Sequence, residues 1–231
     1  YAEFLDRKNL MEPIQAYYKN YAVIFLDKWF KYIEEYQSNQ TGKLQEIIDN
    51  NPAKTAIVVG DGVSYEFAQD IIEKVSKEYT LSKEHQYIFA GLPSETEHNM
   101  SQLYIDSGTV VKDKQDREAY LLKQNKDKSI GFIDLEKVNE TSDKEHYLIC
   151  SYKDPDKLGE TYQHKALKYF DLVAGIFATK IEQLFKNGYQ NVYLVTDHGF
   201  VLTGILDNSD KIEVDFKGNV KISERFIRSE N

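Results

Sequence analysis

The chain has 231 residues, of which 41% are hydrophobic and 13% aromatic, and this composition excludes an intrinsically disordered protein. Its 29 basic and 38 acidic residues give a net charge of −9, which argues against a broad contact with a nucleic-acid backbone. The sequence contains no apolar run long enough to span a membrane and no secretory signal, so we expect a cytoplasmic protein. Cys150 is the single cysteine, and its apolar neighbours predict a small buried residue without an intrachain disulfide.

Residues 1–51 are predicted to form an N-terminal helical segment. Between residues 13 and 37, apolar and aromatic side chains recur at spacings of three and four, which indicates a long amphipathic helix whose apolar stripe packs into a core. A short helix is predicted at residues 44–48. The remaining residues, 52–231, are expected to form one α/β domain. Because the first residue is Tyr and the chain ends soon after a predicted hairpin, we expect a piece of a larger protein.

From residue 52 onward, short apolar runs alternate with helical patterns. The runs predict strands at residues 55–59, 86–90, 130–135, 146–152 and 192–195. Helices are predicted at residues 65–75, at 96–103 and at 162–186. The charge-rich residues 112–128 are interpreted as a surface excursion, and a terminal hairpin is predicted at 211–216 and 219–223. The repeated order of strand and helix predicts an α/β fold with a mainly parallel sheet flanked by helices.

Polar residues that suit metal chemistry follow the predicted strands. Asp61 and the Asp197-His198 pair each come after an apolar run, and Thr96 and Asp156 follow two further runs. The carboxyl ends of parallel strands lie along one edge of a sheet, so these residues can meet although they are far apart in sequence. Two carboxylates and an imidazole suit zinc or manganese, and a neighbouring threonine hydroxyl could attack phosphorus.

Each of these residues also has a purely structural interpretation. Asp61 stands between two glycines and could make a turn, and Asp156 could be a turn residue after a proline. Thr96 could cap the helix that follows it. His164 could be a solvated helix residue. Lys153 and Asp154 are candidate contacts for phosphate or metal, and His98 is a candidate contact for substrate.

Four sequence motifs, taken in order, resemble the PglZ domain, a family of the alkaline phosphatase superfamily. The resemblance covers about residues 54–200. The motifs are Val-Gly-Asp-Gly-Val-Ser-Tyr-Glu at 59–66, Leu-Pro-Ser-Glu-Thr at 92–96, Tyr-Lys-Asp-Pro-Asp-Lys-Leu-Gly-Glu at 152–160 and Val-Thr-Asp-His-Gly-Phe at 195–200.

The resemblance implies an alkaline-phosphatase-like core and a role for each matched residue. Asp61, Asp197 and His198 would hold one metal ion, and Thr96 would be the metal-bound nucleophile. Asp156 would begin a second metal site, for which His164 is the one close histidine in sequence. Val63 and Lys153 stand where family members often carry Arg and His, and no histidine follows His198.

The expected function is therefore a metal-dependent phosphodiesterase in a phage-defence or signalling context. It would hydrolyse nucleotide or oligonucleotide substrates with a threonine nucleophile and one or two divalent ions, zinc or else manganese. Two alternatives remain open at this point. One is a non-catalytic, metal-binding interaction module of a defence or regulatory assembly, and the other is a phosphomutase-like relative.

Overall fold

Apolar, β-branched residues fill four runs of five or six residues, and these runs pair as one parallel sheet. The computed structural model describes residues 8–82, 87–142, 144–162, 166–200, 219–222 and 227–230. The four strands are β1 (Thr55–Gly60), β2 (Ile130–Asp134), β3 (Tyr147–Tyr152) and β4 (Asn191–Thr196), in the spatial order β2-β3-β1-β4. All neighbouring strands run parallel, which confirms the predicted α/β class.

Helices precede and separate these strands. They are α1 (Lys8–Tyr32), α2 (Lys43–Asn50), α3 (Tyr65–Lys74), α4 (Thr96–Tyr104), α5 (Lys114–Gln124), α6 (Asp154–Tyr162) and α7 (Leu167–Lys186). Short 3-10 turns occupy Ile33–Glu35 and Leu135–Lys137. Within the described residues, none of the helices has the length and apolar character needed to cross a bilayer.

The sheet lies between two helical layers. Strand β1 is buried along its whole length, as expected for a central parallel strand. Its side chains alternate: Ala56 and Val58 belong to an apolar cluster with α3 and α7, whereas Ile57 and Val59 pack with α2, α4 and α5. Cys150 lies in the first cluster, which confirms the predicted buried residue, and burial raises the pKa of its thiol to about 12.

The prediction of a strand at residues 86–90 is wrong for the part that the structure describes. Residues 87–90 do not join the sheet, and Phe89 is largely exposed. Their peptide groups bond instead to the chain just after α1: the Phe89 N–H donates to Asn39 Oδ1 at 2.7 Å, and Tyr36 donates its hydroxyl to the Ala90 carbonyl at 2.6 Å. These hydrogen bonds satisfy the peptide groups of the apolar run outside the sheet.

The apolar stripe of the N-terminal helix does not enter the core, contrary to the prediction. Tyr17, Tyr21 and Phe25 are each exposed over more than half of their surface. Near the end of the helix, Trp29 meets Tyr36 edge-on, with ring centroids 5.2 Å apart, and Tyr36 in turn meets Phe89 of the domain at 5.9 Å. A long apolar stripe in sequence thus marks a surface here and not a buried face.

Three further expectations need correction. Residues 112–128 are not a surface excursion, since they contain α5, whose Arg117 and Leu121 are buried. The long helix predicted at 162–186 begins at Leu167, and Asp156 belongs to the separate helix α6 and not to a turn. The predicted strand at 219–223 is present as β5 (Asn219–Ile222), but it pairs antiparallel with β6 (Ile227–Glu230), a strand that the sequence did not predict, while the predicted strand at 211–216 lies outside the described residues.

Removal of the Phe177 ring should destabilise the domain strongly. Phe177 is fully buried on α7, and its ring meets those of Phe67 and Tyr152. We expect Phe177→Ala to lower the free energy of unfolding by about 3–5 kcal/mol in urea denaturation, because it leaves a cavity. Leu172→Ala on the same helix is the matched control, since Leu172 is 65% exposed and its loss should cost less than about 1 kcal/mol. Equal losses for the two variants would contradict this packing.

Candidate metal centre

The register of the sheet brings three strand ends together. Gly60 at the end of β1 pairs with Tyr152 of β3 on one side and with Thr196 of β4 on the other. The next residues along β1 and β4 are Asp61 and Asp197, so the two carboxylates are neighbours although they lie far apart in sequence. This is the edge at which open parallel sheets place their ligand sites.

Gly62 shapes the turn that follows β1, and two features require a glycine there. Its φ of +69° is in the left-handed region, which other residues rarely adopt. A Cβ at this position would also lie 3.0 Å from the Cβ of Asp156 on α6. The turn points the Gly62 N–H at Asp197 Oδ1, 3.1 Å away, and thereby ties the end of β1 to the end of β4.

Asp61, Asp197 and His198 form one buried cluster. Their ligand atoms all lie within 4.8 Å of one another. His198 Nε2 is 3.3 Å from Asp197 Oδ2 and 3.9 Å from Asp61 Oδ1. Two carboxylates and one imidazole at such distances could hold a divalent metal ion.

Local hydrogen bonds orient the His198 ring. Its Nδ1 is 2.8 Å from the Gly199 carbonyl, which can only accept, so Nδ1 carries the proton. In the neutral ring Nε2 then presents a lone pair towards the two carboxylates, and an outer hydrogen bond that fixes the tautomer in this way is typical of metal-binding histidines. The Thr96 hydroxyl lies 2.9 Å from the same Nε2, to which it donates.

Thr96 is the first residue of α4, where the sequence suggested a helix cap. Glu95 occupies the cap position and makes no side-chain capping bond. The hydroxyl of Thr96 therefore points to the cluster from the amino end of a helix, a position whose peptide dipoles favour anions.

Two buried oxygens in this cluster lack a hydrogen-bond partner, namely Asp61 Oδ1 and Asp197 Oδ2. Unpaired carboxylate oxygens are costly in a protein interior, and a bound cation would compensate both. Burial first, and then the charges of Asp197 and Asp156, raise the pKa of Asp61 to about 7. Burial also raises the pKa of Asp197 to about 7, against the opposing effect of the N–H donors from Gly62 and His198. The donor set and its electrostatics thus fit a divalent ion.

The other predicted site residues lie at different distances from this cluster. Asp156 packs against Gly62, and its charge acts on both Asp61 and Asp197. Lys153 is exposed and lines a cleft together with Asp61 and Thr96.

Three candidates are not brought to the cluster by any described contact. The His98 ring is 3.0 Å from the side-chain nitrogen of Gln102, one turn further along α4. Asp154 begins α6, and its side chain is outside the described part. His164 falls between α6 and α7, also outside the described residues.

Gln40 is a positioning residue that the sequence reasoning missed. Its side chain is fully buried and bridges two parts of the site. Nε2 donates to the Asp197 carbonyl at 2.7 Å, and Oε1 accepts from the Gly91 N–H at 3.3 Å. Gly91 begins the segment that leads to Thr96, so one amide links the nucleophile candidate to the end of β4. A glutamine in a polar stretch carries no sequence signal for this role.

A parallel sheet between helices, with an Asp, an Asp-His pair and a threonine at its carboxyl edge, has the architecture of an alkaline-phosphatase-like α/β protein. Residues 41–176 match the family described as the BREX system PglZ alkaline phosphatase-like domain. The match covers more than half of the chain, which therefore belongs to the PglZ family. It includes Asp61 and Thr96 and ends before Asp197. No curated protein matches the chain.

Replacement of Asp197 by Asn should stabilise the metal-free protein at alkaline pH. A carboxyl whose pKa is about 7 when folded and 3.8 otherwise binds more protons in the folded state, so stability falls as pH rises from about 4 to 7. Asn cannot become charged, and its oxygen can keep the bonds from Gly62 and His198. We expect Asp197→Asn to raise the Tm of metal-free protein at pH 8 by at least about 3 °C, and to change it little at pH 5.

The matched control for this measurement is Asp134→Asn. Hydrogen bonds from Lys137 and Lys114 lower the pKa of this exposed carboxyl to about 2, so its charge is favourable. The control should leave the Tm unchanged or lower it slightly at pH 8. A fall in Tm at pH 8 for Asp197→Asn would refute the described electrostatics.

Loss of the Gln40 amide should destabilise the region between Thr96 and Asp197. In Gln40→Leu the Asp197 carbonyl and the Gly91 N–H lose their buried partner, which should cost about 1–3 kcal/mol of unfolding free energy. Hydrogen exchange should also show faster opening around residue 91. Gln124→Leu, at an exposed position at the end of α5, provides the control. Equal unfolding free energies for Gln40→Leu and Gln124→Leu would show that the Gln40 amide does not stabilise this region.

Proposed function

We propose that this protein is a metal-dependent phosphodiesterase in which Thr96 is the nucleophile. The observation that carries the proposal is the 2.9 Å contact between the Thr96 hydroxyl and His198 Nε2, inside the cluster that also holds Asp61 and Asp197. A nucleophile and a set of metal ligands that converge on one point are what phosphoryl transfer needs. Membership of an alkaline-phosphatase-like family supports the same reaction class.

The ligands of the metal ion would be Asp61 Oδ1, Asp197 Oδ2 and His198 Nε2, with Thr96 beside them. Zinc suits this mixed nitrogen and oxygen set, and manganese is the alternative. A divalent ion bound there would lower the pKa of the adjacent hydroxyl and neutralise phosphoryl oxygens. A second ion would involve Asp156 and, as a further part of the proposal, His164.

The protein's own groups determine the rest of the reaction. The hydroxyl of Thr96 loses its proton to water, Oγ1 attacks the phosphorus and forms a bond to it, and the bond from phosphorus to the leaving oxygen breaks on the opposite side, where the leaving oxygen takes up a proton from water. The amino end of α4 favours the negative charge of the phosphoryl group. Lys153 lines the approach and would contact a phosphoryl oxygen. Water then hydrolyses the phosphothreonine and restores the hydroxyl.

The family is described by its occurrence in the BREX system, a phage-defence system, and this supports the proposal of a nucleotide or oligonucleotide as the substrate. Such a role would be carried out in the cytoplasm, within an assembly of defence proteins. The exposed aromatic side chains of α1 favour a protein partner, because large exposed apolar patches are typical of contact surfaces. An interaction through α1 can exist with or without catalysis, and the two functions can be separated by mutation.

Substitution of Thr96 by Ala should abolish turnover while metal binding persists. With zinc or manganese present, we expect native protein to hydrolyse bis-p-nitrophenyl phosphate, and Thr96→Ala to be at least about a hundredfold slower. Thr96→Ser keeps a hydroxyl and is the matched control, which should retain activity above that of the alanine variant.

Metal analysis distinguishes the remaining outcomes. Thr96→Ala should bind zinc nearly as the native protein does, whereas Asp197→Ala should lose most of it, because it removes a ligand. If native protein and Thr96→Ala were equally fast, the proposed reaction would be wrong and a non-catalytic module would remain. Retention of the phosphoryl group on a sugar phosphate would point to the mutase-like alternative.

A further inference from the structure

A basic cleft opens beside the candidate metal centre. Its volume is about 220 Å³, and Asp61 and Thr96 form part of its wall. Four cationic side chains line it: Lys112, Lys114, Arg117 and Lys153. The lining contains two acidic residues, Asp61 and Glu97. The protein as a whole carries a charge of −9, so this excess of positive charge is local and opposes the general trend.

Arg117 is the buried member of the four. It is 8% exposed, and its guanidinium stands over the Tyr104 ring, 5.8 Å from the ring centroid. Nη1 donates to the carbonyls of Val111, at 3.2 Å, and Lys112, while Nε has no hydrogen-bond partner. No carboxylate among the described residues lies within 4.0 Å of this group.

A buried guanidinium with neutral partners pays a desolvation penalty that an anion in the cleft would offset. Glu118, the next residue on α5, feels the charge of Arg117, but its own ion pair is with Lys114 at 3.7 Å. The buried Nε is enclosed and does not face the cleft, but the charge of the guanidinium has no carboxylate partner within 4.0 Å and attracts an anion that enters the cleft.

The two lysines near Arg117 hold positions from which they can reach a ligand. Lys112 pairs with Glu97 at 3.1 Å, and its side chain is 69% exposed. Lys114 pairs with Asp134 at 3.2 Å and donates to Ser151 Oγ at 2.7 Å. Exposed ion pairs contribute about 0–1 kcal/mol, so an incoming polyanion can replace these partners.

The size of the cleft restricts what it can hold. Pockets for drug-sized ligands occupy roughly 300–1,000 Å³, and this cleft is smaller. It suits a compact anion such as one phosphate group better than a base with its sugar.

We propose that the cleft binds a second phosphate of the substrate, next to the phosphoester that lies at Thr96. Substrates would then carry at least two phosphates in succession, as a nucleic-acid strand or a nucleoside polyphosphate does. The position of the reacting phosphoester rests on the proposed function, whereas anion binding by the cleft does not depend on it.

The first test measures pyrophosphate binding to metal-free protein by calorimetry. The double variant Lys112→Gln/Lys114→Gln should bind pyrophosphate at least about tenfold more weakly than native protein, because two charge-assisted contacts are lost. Lys123→Gln/Lys126→Gln is the matched control. Lys123 lies in the last turn of α5 and Lys126 just after it, and both are exposed and outside the cleft. Arg117→Gln, checked for folding by its Tm, should weaken binding as well.

Equal affinity of the double variant and its control would overturn the proposal, and so would the absence of pyrophosphate binding by native protein. Because this measurement uses metal-free protein and involves no turnover, a failure of catalysis is distinguished from a failure of the cleft to bind anions.

The second test uses the metal-loaded enzyme and two p-nitrophenyl esters. One is thymidine 5′-p-nitrophenyl phosphate, and the other carries an additional 3′-phosphate. Native protein should prefer the second ester by about tenfold or more in kcat/KM, and the Lys112→Gln/Lys114→Gln variant should lose this preference. Comparison of kcat/KM for a dinucleotide and for a nucleoside triphosphate then shows whether the second phosphate belongs to a nucleic-acid strand or to a nucleoside polyphosphate. Equal kcat/KM for the two esters in native protein would overturn the proposal.

Discussion

Two buried carboxylates held against one imidazole are the constraint on which the site depends. Adjacent parallel strands fix Asp61 and Asp197 side by side, and the N–H groups of Gly62 and His198 hold Asp197 Oδ1. The other oxygen, Oδ2, then points inward without a hydrogen-bond partner. An unpaired buried carboxylate oxygen destabilises the metal-free protein, whereas it stabilises a protein that binds a cation there. The left-handed turn at Gly62 and the amide bridge of Gln40 both serve to maintain it.

The sheet and the three ligand candidates were predictable because both follow from local patterns. Runs such as 55–59 and 192–195 contain little besides apolar and β-branched residues, so they indicate buried parallel strands. Once the strands are parallel, residues that follow their carboxyl ends must share one edge, and Asp61, Asp197 and His198 meet for that reason. Thr96 also lies at this edge, 2.9 Å from His198 Nε2, although the segment before it is not a strand.

The features that the sequence did not predict depend on tertiary contacts. The run at 87–90 resembles a strand, but hydrogen bonds to Asn39 and Tyr36 hold it outside the sheet. Residues 112–128 look like a solvated surface, yet packing of Leu121 and Arg117 makes part of them a helix that lines the cleft. The spacing of apolar residues predicts a helix with an apolar face, but it does not show whether another element packs on that face. For this reason the predicted burial of the α1 stripe is wrong.

The most direct test of the account is anomalous diffraction at the zinc absorption edge from crystals of the zinc-loaded protein. We expect an anomalous peak between Asp61 Oδ1, Asp197 Oδ2 and His198 Nε2, at about 2.0–2.2 Å from each, with Thr96 Oγ1 beside it. A peak at other residues, or no peak between these three side chains at saturating zinc, would contradict it. In that case the buried carboxylates would have to share a proton, and the site would not be a metal centre.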